Sequence, residues 1–264
     1  MVRRELPGHD VVGIRADNPG PFSLDGTNTW IVGREPTFVI DPGPNLREHL
    51  DTVSEEIDER GGLGGILLTH DHIDHAESVP EMLMRFSPTP LAAARGAVTE
   101  LLRDGDRYGP FEVLALPGHA PDHLVFIADG VAFAGDAVLG EGSVFVAPDP
   151  GALRGYLEGL DRLRGRAPAV LAPGHGPVVT DPQAKLTQYI DHRLARETAL
   201  LAALEAGERT IDQLVASVWA DAPAMLRPAV ELTLAAHLDK LDEEGRLPAA
   251  VERPQWPVSW LDHA

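Results

Sequence analysis

Cysteine is absent from all 264 residues, which excludes disulfides, cysteine-based zinc knuckles and thiol nucleophiles. Long apolar runs are missing as well, and no stretch reaches the roughly 18 residues needed to span a bilayer. The opening MVRRELPGHDVV is charged but lacks the apolar core and small-residue cleavage site of an export signal. A cytoplasmic protein with no membrane partner is therefore expected. Positive charge is scarce: 22 Lys and Arg face 41 Asp and Glu, for a formal net charge of −19. Such a field repels phosphate backbones at long range and disfavours duplex DNA as a partner. Aromatic residues make up only 5% of the chain, little material for stacking bases, and Trp219, Trp256 and Trp260 all lie late in it.

What is present describes a globular protein. Apolar residues are 44% of the sequence, and the length allows one large domain with a small appendage. Segments 27–32 (TNTWIV) and 37–40 (TFVI) read as strands flanking the hairpin signal Gly33-Arg34-Glu35-Pro36. A helix follows over 46–60, closed by Gly61-Gly62, and then a buried strand over 65–69. Another helix is expected over 76–86. Strands are expected at 111–116, 123–128, 131–134 and 169–172, the middle two joined through the two-residue turn Asp129-Gly130. Between the last two strands, 150–164 reads as a helix. From Pro182 onward the pattern turns helical, over 182–205, 211–220 and 223–244, with a short strand pair expected in 246–253. Three helices and a small ribbon outline a winged-helix unit. The division expected is a layered α+β domain over 1–183 and a linker helix with winged-helix-like domain over 184–264.

The chemistry concentrates in Thr69-His70-Asp71-His72-Ile73-Asp74-His75. Imidazoles and carboxylates crowded this closely cost stability when packed without partners and repel when charged. Metal binding relieves both difficulties, because neutral imidazole and carboxylate are good ligands for zinc and its neighbours. On an extended segment His70 and His72 point to the same side and can share one ion. A turn after His72 swings Asp74 and His75 toward a second. His119, Asp136 and His175 each follow a predicted strand, so ligands are delivered from several strand ends onto one edge.

This pattern resembles the metallo-β-lactamase superfamily, whose signature is His-x-His-x-Asp-His followed by a His, an Asp and a final His. The resemblance covers roughly 11–177. It implies a four-layer αββα sandwich, with His70, His72 and His119 holding a first ion, Asp74, His75 and His175 a second, and Asp136 bridging. Two zinc ions are implied, with iron or manganese as alternatives. A narrower resemblance, to the branch of β-lactamase-like protein 2, rests on Asn18-Pro19-Gly20-Pro21, Gly26-Thr27-Asn28-Thr29, Gly118-His119-Ala120-Pro121-Asp122-His123 and the winged-helix-like tail. Well-known members of that branch cleave single-stranded RNA.

A paired metal centre about 3.5–4 Å across lowers the pKa of a shared water to about 7, giving a hydroxide nucleophile. Asp74 and Asp136 are candidates to assist proton transfer, although they serve first as ligands. His123 is a candidate for facing substrate or orienting a ligand, with a structural histidine as the alternative. Asp41 either fixes a metal-binding loop or forms an ordinary turn. Asn28 either touches substrate or makes a strand-end hydrogen bond. His192, Arg193 and Arg196 resemble a His-Arg-x-x-Arg-Glu element of the narrower branch; they either meet an anionic group or are surface charge. An Asp at 136 looks more like the thioesterases, lactonases and phosphodiesterases of the superfamily than like the lactamases with a cysteine ligand. The expected activity is hydrolysis of a small thioester or ester, with single-stranded RNA cleavage as the alternative. A winged-helix DNA reader is disfavoured by the acids of 225–244, and cover for the site or a homodimer contact fits that region better.

Overall fold

The computed structural model describes residues 2–255, so Trp256 and Trp260 fall outside the described residues. Strands β1 (Val2–Glu5), β2 (Val11–Arg15), β3 (Asn28–Val32), β4 (Thr37–Ile40), β5 (Leu63–Leu67), β6 (Leu91–Ala93) and β7 (Glu100–Leu101) form a seven-stranded sheet in chain order. Strands β8 (Arg107–Tyr108), β9 (Phe111–Ala115), β10 (Leu124–Ala128), β11 (Val131–Gly135) and β12 (Val170–Pro173) form a five-stranded sheet in the order β12-β11-β10-β9-β8. The turn between β10 and β11 holds Asp129 and Gly130 at φ 48° and 75°, the left-handed pair that a tight hairpin requires.

Alternation along the strands makes each sheet two-faced, and the chain buries both faces. Trp30, Ile40 and Leu67 of the first sheet meet Phe111, Phe126 and Phe133 of the second in one core. Helices α1 (Arg47–Glu59), α2 (Ile73–Ala76) and α3 (Val79–Arg85) follow β4 and β5, and α1 and α3 pack Leu50, Val53, Ile57 and Met82 against the outer face of the first sheet. On the other side, α4 (Ala152–Gly165) packs Leu153, Tyr156, Leu160 and Leu163 against the second sheet. The result is the four-layer αββα sandwich. The helix expected over 76–86 is α3, which begins only after Glu77 and Ser78 and carries Pro80 in its first turn, where no amide donor is needed; Ala76 instead ends α2.

Helix α5 (Pro182–Glu205) starts on an Asp181 cap, whose side chain accepts the Ala184 amide. Its first half buries Leu186 and Tyr189 in the core beneath the second sheet. Its second half buries Leu200, Ala203 and Leu204 against α6 (Ile211–Val218) and α7 (Arg227–Glu243). The division expected at 183 and 184 thus meets a helix that serves both cores. Helix α7, preceded by a 3-10 turn (Ala224–Leu226), buries residues around most of its girth, and Glu243 at its end pairs with Arg154 of α4 at 2.6 Å. The strand pair expected in 246–253 is corrected: those residues form no strand. Pro248 lacks a ladder donor, and Arg253 is held instead by Asp239 and Asp242 of α7. Among the described residues no helix is long and apolar enough to cross a membrane.

Candidate metal centre

The ends of β4, β5, β9, β11 and β12 open onto one edge of the sandwich, and the loops leaving them carry the polar residues singled out above. Three overlapping groups place their donor atoms within 4.8 Å of one another: His70, His72 and His119; His70, His75 and Asp136; Asp74, His75 and His175. The structure therefore brings all seven sequence-predicted metal residues together. Asp136 sits between the two outer groups, its Oδ1 3.5 Å from His75 Nε2 and its Oδ2 3.2 Å from His175 Nε2 and 3.7 Å from His119 Nε2. Asp74 Oδ2 lies 3.2 Å from His175 Nε2. His72 and Asp74 are the half-exposed members and mark the open side.

The outward nitrogens of these rings are tied down, and their partners set the tautomers. Thr69 Oγ1 donates to Asp41 Oδ2 at 2.7 Å and so accepts from His70 Nδ1 at 2.9 Å, which leaves His70 Nε2 unprotonated, buried and without a partner. Asp41 Oδ2 accepts from His75 Nδ1 at 2.9 Å, turning His75 Nε2 inward. The Gly26 carbonyl accepts from His175 Nδ1 at 3.2 Å, and the Phe145 carbonyl from His119 Nδ1 at 3.4 Å. Inward-facing nitrogens then meet head on: His119 Nε2 is 3.0 Å from His72 Nδ1, and His75 Nε2 is 3.3 Å from His175 Nε2. Lone pairs opposed in this way repel unless a cation or a proton lies between them. The donor set, oriented from behind by carboxylate and carbonyl groups, fits a pair of borderline divalent ions.

Charge in the site tells the same story. Burial, reinforced by the surrounding imidazoles, holds His70 well below the ordinary histidine range and takes His72 down to about 3. Burial also opposes charge on His175, but Asp136 and Asp74 outweigh it and lift the group to about 9. His75 is likewise raised against its burial by Asp74, Asp136 and Asp41. Asp136 is kept well below the carboxylate range despite burial, because His175 and His75 face it. Protons on His75 and His175 stand in for the positive charge that the carboxylates demand.

The other candidates fall on the supporting layer. His123 is 1% exposed; its Nε2 accepts the Asp136 amide at 3.1 Å and its ring stacks on His70 at 4.9 Å. It faces two candidate ligands from behind rather than the open side. Asn28 makes the strand-end hydrogen bonds, donating to the Pro173 and Gly176 carbonyls at 3.0 Å each and so clamping the loop that carries His175. Asp41 is the loop-fixing residue, taking the Thr69 amide at 2.8 Å besides the contacts above. Arg193 is buried and bonds to Ser143 Oγ at 3.1 Å, while Arg196 pairs with Asp221 at 2.7 Å. Three residues escaped the sequence reading. Thr27 donates to Asp74 Oδ2 at 3.0 Å, Thr69 relays Asp41 to His70, and Phe145 lays its ring against His119 at 4.6 Å. Thr27 and Thr69 lie within motifs quoted above without a role of their own, and that position is the one signal that could have flagged them.

Comparisons with known proteins agree on the architecture. A model of the β-lactamase superfamily domain matches residues 37–138, and one of the β-lactamase-associated winged helix domain matches 210–256. The chain is 34% identical to an atrochrysone carboxyl ACP thioesterase of Aspergillus chevalieri, over 81% of this chain and 74% of that protein. It is 30% identical to the β-lactamase-like protein 2 homolog of Drosophila melanogaster, over 90% of this chain and 89% of that protein. A β-lactamase domain protein from Burkholderia ambifaria superposes with a TM-score of 0.74 at 22% identity, covering 92% of this chain and 90% of that one.

Proposed function

Starting from the premise that this chain belongs to the metallo-β-lactamase superfamily and is a hydrolase, we propose that it cleaves small acyl thioesters at a centre of two divalent cations, zinc or its neighbours iron and manganese. The observation that carries this reading is the chain of shared donors. His70 belongs to the first and second groups, His75 to the second and third, and Asp136 lies between them. His70, His72 and His119 would hold one ion, Asp74, His75 and His175 the other, and Asp136 both. When bound, such a pair supplies Lewis acidity toward the carbonyl and lowers the pKa of water to about 7.

The remaining steps belong to this chain's own side chains. Asp41 and the Gly26 carbonyl keep the protons of His75 and His175 on Nδ1, so that both present a lone pair inward. Thr69 does the same for His70. His123 fixes the backbone of Asp136 and serves as a positioning residue. Asp74, held by the Thr27 hydroxyl and half-exposed, is the carboxylate placed to pass a proton to a departing thiolate on the open side. A thioester is favoured over RNA by the net charge of −19 and by the relative named as an ACP thioesterase.

The test is a substrate panel on protein loaded in turn with zinc, iron and manganese. It comprises acyl thioesters of N-acetylcysteamine, a lactone, a phosphodiester and single-stranded RNA. Thioester turnover that vanishes in Asp136→Ala is expected. RNA cleavage with inert thioesters would overturn the reading.

A further inference from the structure

Beside the metal centre lies a cavity of about 860 Å³ between the loop at 142–145 and the C-terminal helices. Its walls include Val144 and Phe145 from the loop, and Trp219, Pro223, Leu226 and Val230 from the helical domain. Phe145 is a shared partition, since its ring centre lies 4.6 Å from that of His119. A molecule seated in this cavity is therefore next to the reacting centre. The lining is mostly apolar, with Ser143, Gln188 and Thr233 as neutral polar members, and it includes one buried cation, Arg193, which is 2% exposed.

The other charged groups of the lining are accounted for. Arg196 is neutralised by Asp221 at 2.7 Å and donates to His192 Nε2 at 3.2 Å, so that nitrogen carries no proton. Asp191 is exposed. Arg193 has no carboxylate within 4.0 Å among the described residues. Its Nη2 is spent on Ser143 Oγ at 3.1 Å and on the Val144 carbonyl, its guanidinium sits 5.7 Å from the Tyr156 ring centre, and its Nε has no partner at all. A buried guanidinium without a counter-charge is costly to keep, and one that lines a cavity is a recognition element in want of an anion.

We infer that this cavity seats the acyl part of the substrate, and that it selects an apolar acyl chain bearing a carboxylate, with Arg193 as the counter-charge. The inference rests on the thioester reading above. Nη2 is already committed, so Arg193 offers an anion a single charge-assisted contact rather than a two-donor fork, and the measurements below separate a carboxylate on the acyl chain from a phosphate on the leaving group. Val144 and Phe145 on the loop and Trp219, Pro223, Leu226 and Val230 on the helical domain give a chain or ring system apolar surface to pack against.

Two measurements separate this inference from its premise. In the first, succinyl, adipoyl and suberoyl half-thioesters of N-acetylcysteamine are compared with butyryl, hexanoyl and octanoyl thioesters. At least one acidic chain should exceed its neutral counterpart about tenfold in kcat/KM, the scale of a hydrogen bond to a charged group. Arg193→Gln should erase that preference through KM, and Arg193→Lys should restore part of it. Equal treatment of acidic and neutral chains by the unaltered enzyme would overturn the inference. So would an equal loss for both in Arg193→Gln, which would mean that Arg193 only pins the loop. An Arg193-dependent advantage of coenzyme A thioesters over N-acetylcysteamine thioesters would move the anion to the leaving group and overturn it too. In the second, suberate and octanoate are titrated calorimetrically, which needs no turnover. If no thioester reacts, the functional reading fails, yet tighter binding of suberate than octanoate, lost in Arg193→Gln, would still support the pocket. Ala229→Phe fills the cavity without replacing Arg193 and should abolish suberate binding; unchanged binding would refute the assignment.

Discussion

Replacing Asp41 by asparagine changes one atom in the layer behind the metal residues, and its consequences can be followed bond by bond. Oδ1 remains an acceptor for the Thr69 amide, so the backbone anchor survives. The amide nitrogen takes the place of Oδ2, where it faces the Thr69 hydroxyl and His75 Nδ1 as a donor. His75 can answer only by moving its proton to Nε2, the nitrogen aimed at Asp136 and His175. Thr69 now accepts from the amide and donates to His70 Nδ1, which sends that ring's proton to its own inward nitrogen as well. One substitution thus blocks a donor in each outer group. Loss of such supporting partners costs about 10–100-fold in metal affinity, or roughly 1.4–2.7 kcal/mol. Competition against a chromophoric chelator, titrated with zinc, measures both affinities, and circular dichroism confirms the fold. Wild-type affinity for both ions in Asp41→Asn would refute the tautomer argument and, with it, the role given to Thr69.

Gly174→Ala should abolish metal loading with the fold retained, because a Cβ there would lie 2.3 Å from Asp136 Oδ1 and 2.7 Å from His75 Cε1; metal analysis showing two ions per chain would contradict this. Asn28→Ala removes both clamps on the His175 loop and leaves the Gly176 carbonyl without that donor, a loss of about 1–3 kcal/mol. A lower Tm with weakened metal retention is expected, and an unchanged Tm would count against the clamp. His237, fully buried with neither ring nitrogen partnered, is held down at about 3 by burial and by Arg193, Lys240, His192 and Arg196. The unfolded chain takes up a proton near pH 6.5 that the folded chain refuses, so stability falls as pH drops from 6.5 toward 3, by about 2 kcal/mol at roughly pH 5. Denaturant titrations of His237→Phe should show a shallower acid slope than the wild type, and parallel slopes would refute it.

The candidate metal residues could be read in the sequence because their chemistry is local: three imidazoles and two carboxylates in six positions are hard to justify structurally without a cation. The strand ends that bring in His119, Asp136 and His175 were legible for a related reason. Each is punctuated by Gly or Pro, and alternation upstream fixes where the strand must stop. The supporting layer was legible only as pairs of alternatives for Asp41, His123 and Asn28, because its meaning is made by distant partners. Thr27 meets Asp74 47 positions away, and Asn28 meets Gly176 148 positions away. Asp41 looks like any turn-forming aspartate until β4 and β5 lie side by side and bring Thr69 and His75 to it.

The C-terminal region failed in a different way. Its helices follow from periodicity, but what they pack against does not, since α5 spends half its length under one core and half in another. Where the ribbon was expected, Pro248 lacks a ladder donor and Arg253 pairs with two acids on α7, a tertiary contact that periodicity does not report. The same docking bears on Arg193. On an isolated helix it and Arg196 read as neighbours on one charged face. Once α7 and the loop at 142–145 close over it, Arg193 becomes a buried cation while Arg196 keeps its carboxylate at the rim. Burial, which spacing along a helix cannot report, separates the two arginines. It makes only the first a candidate for choosing the substrate.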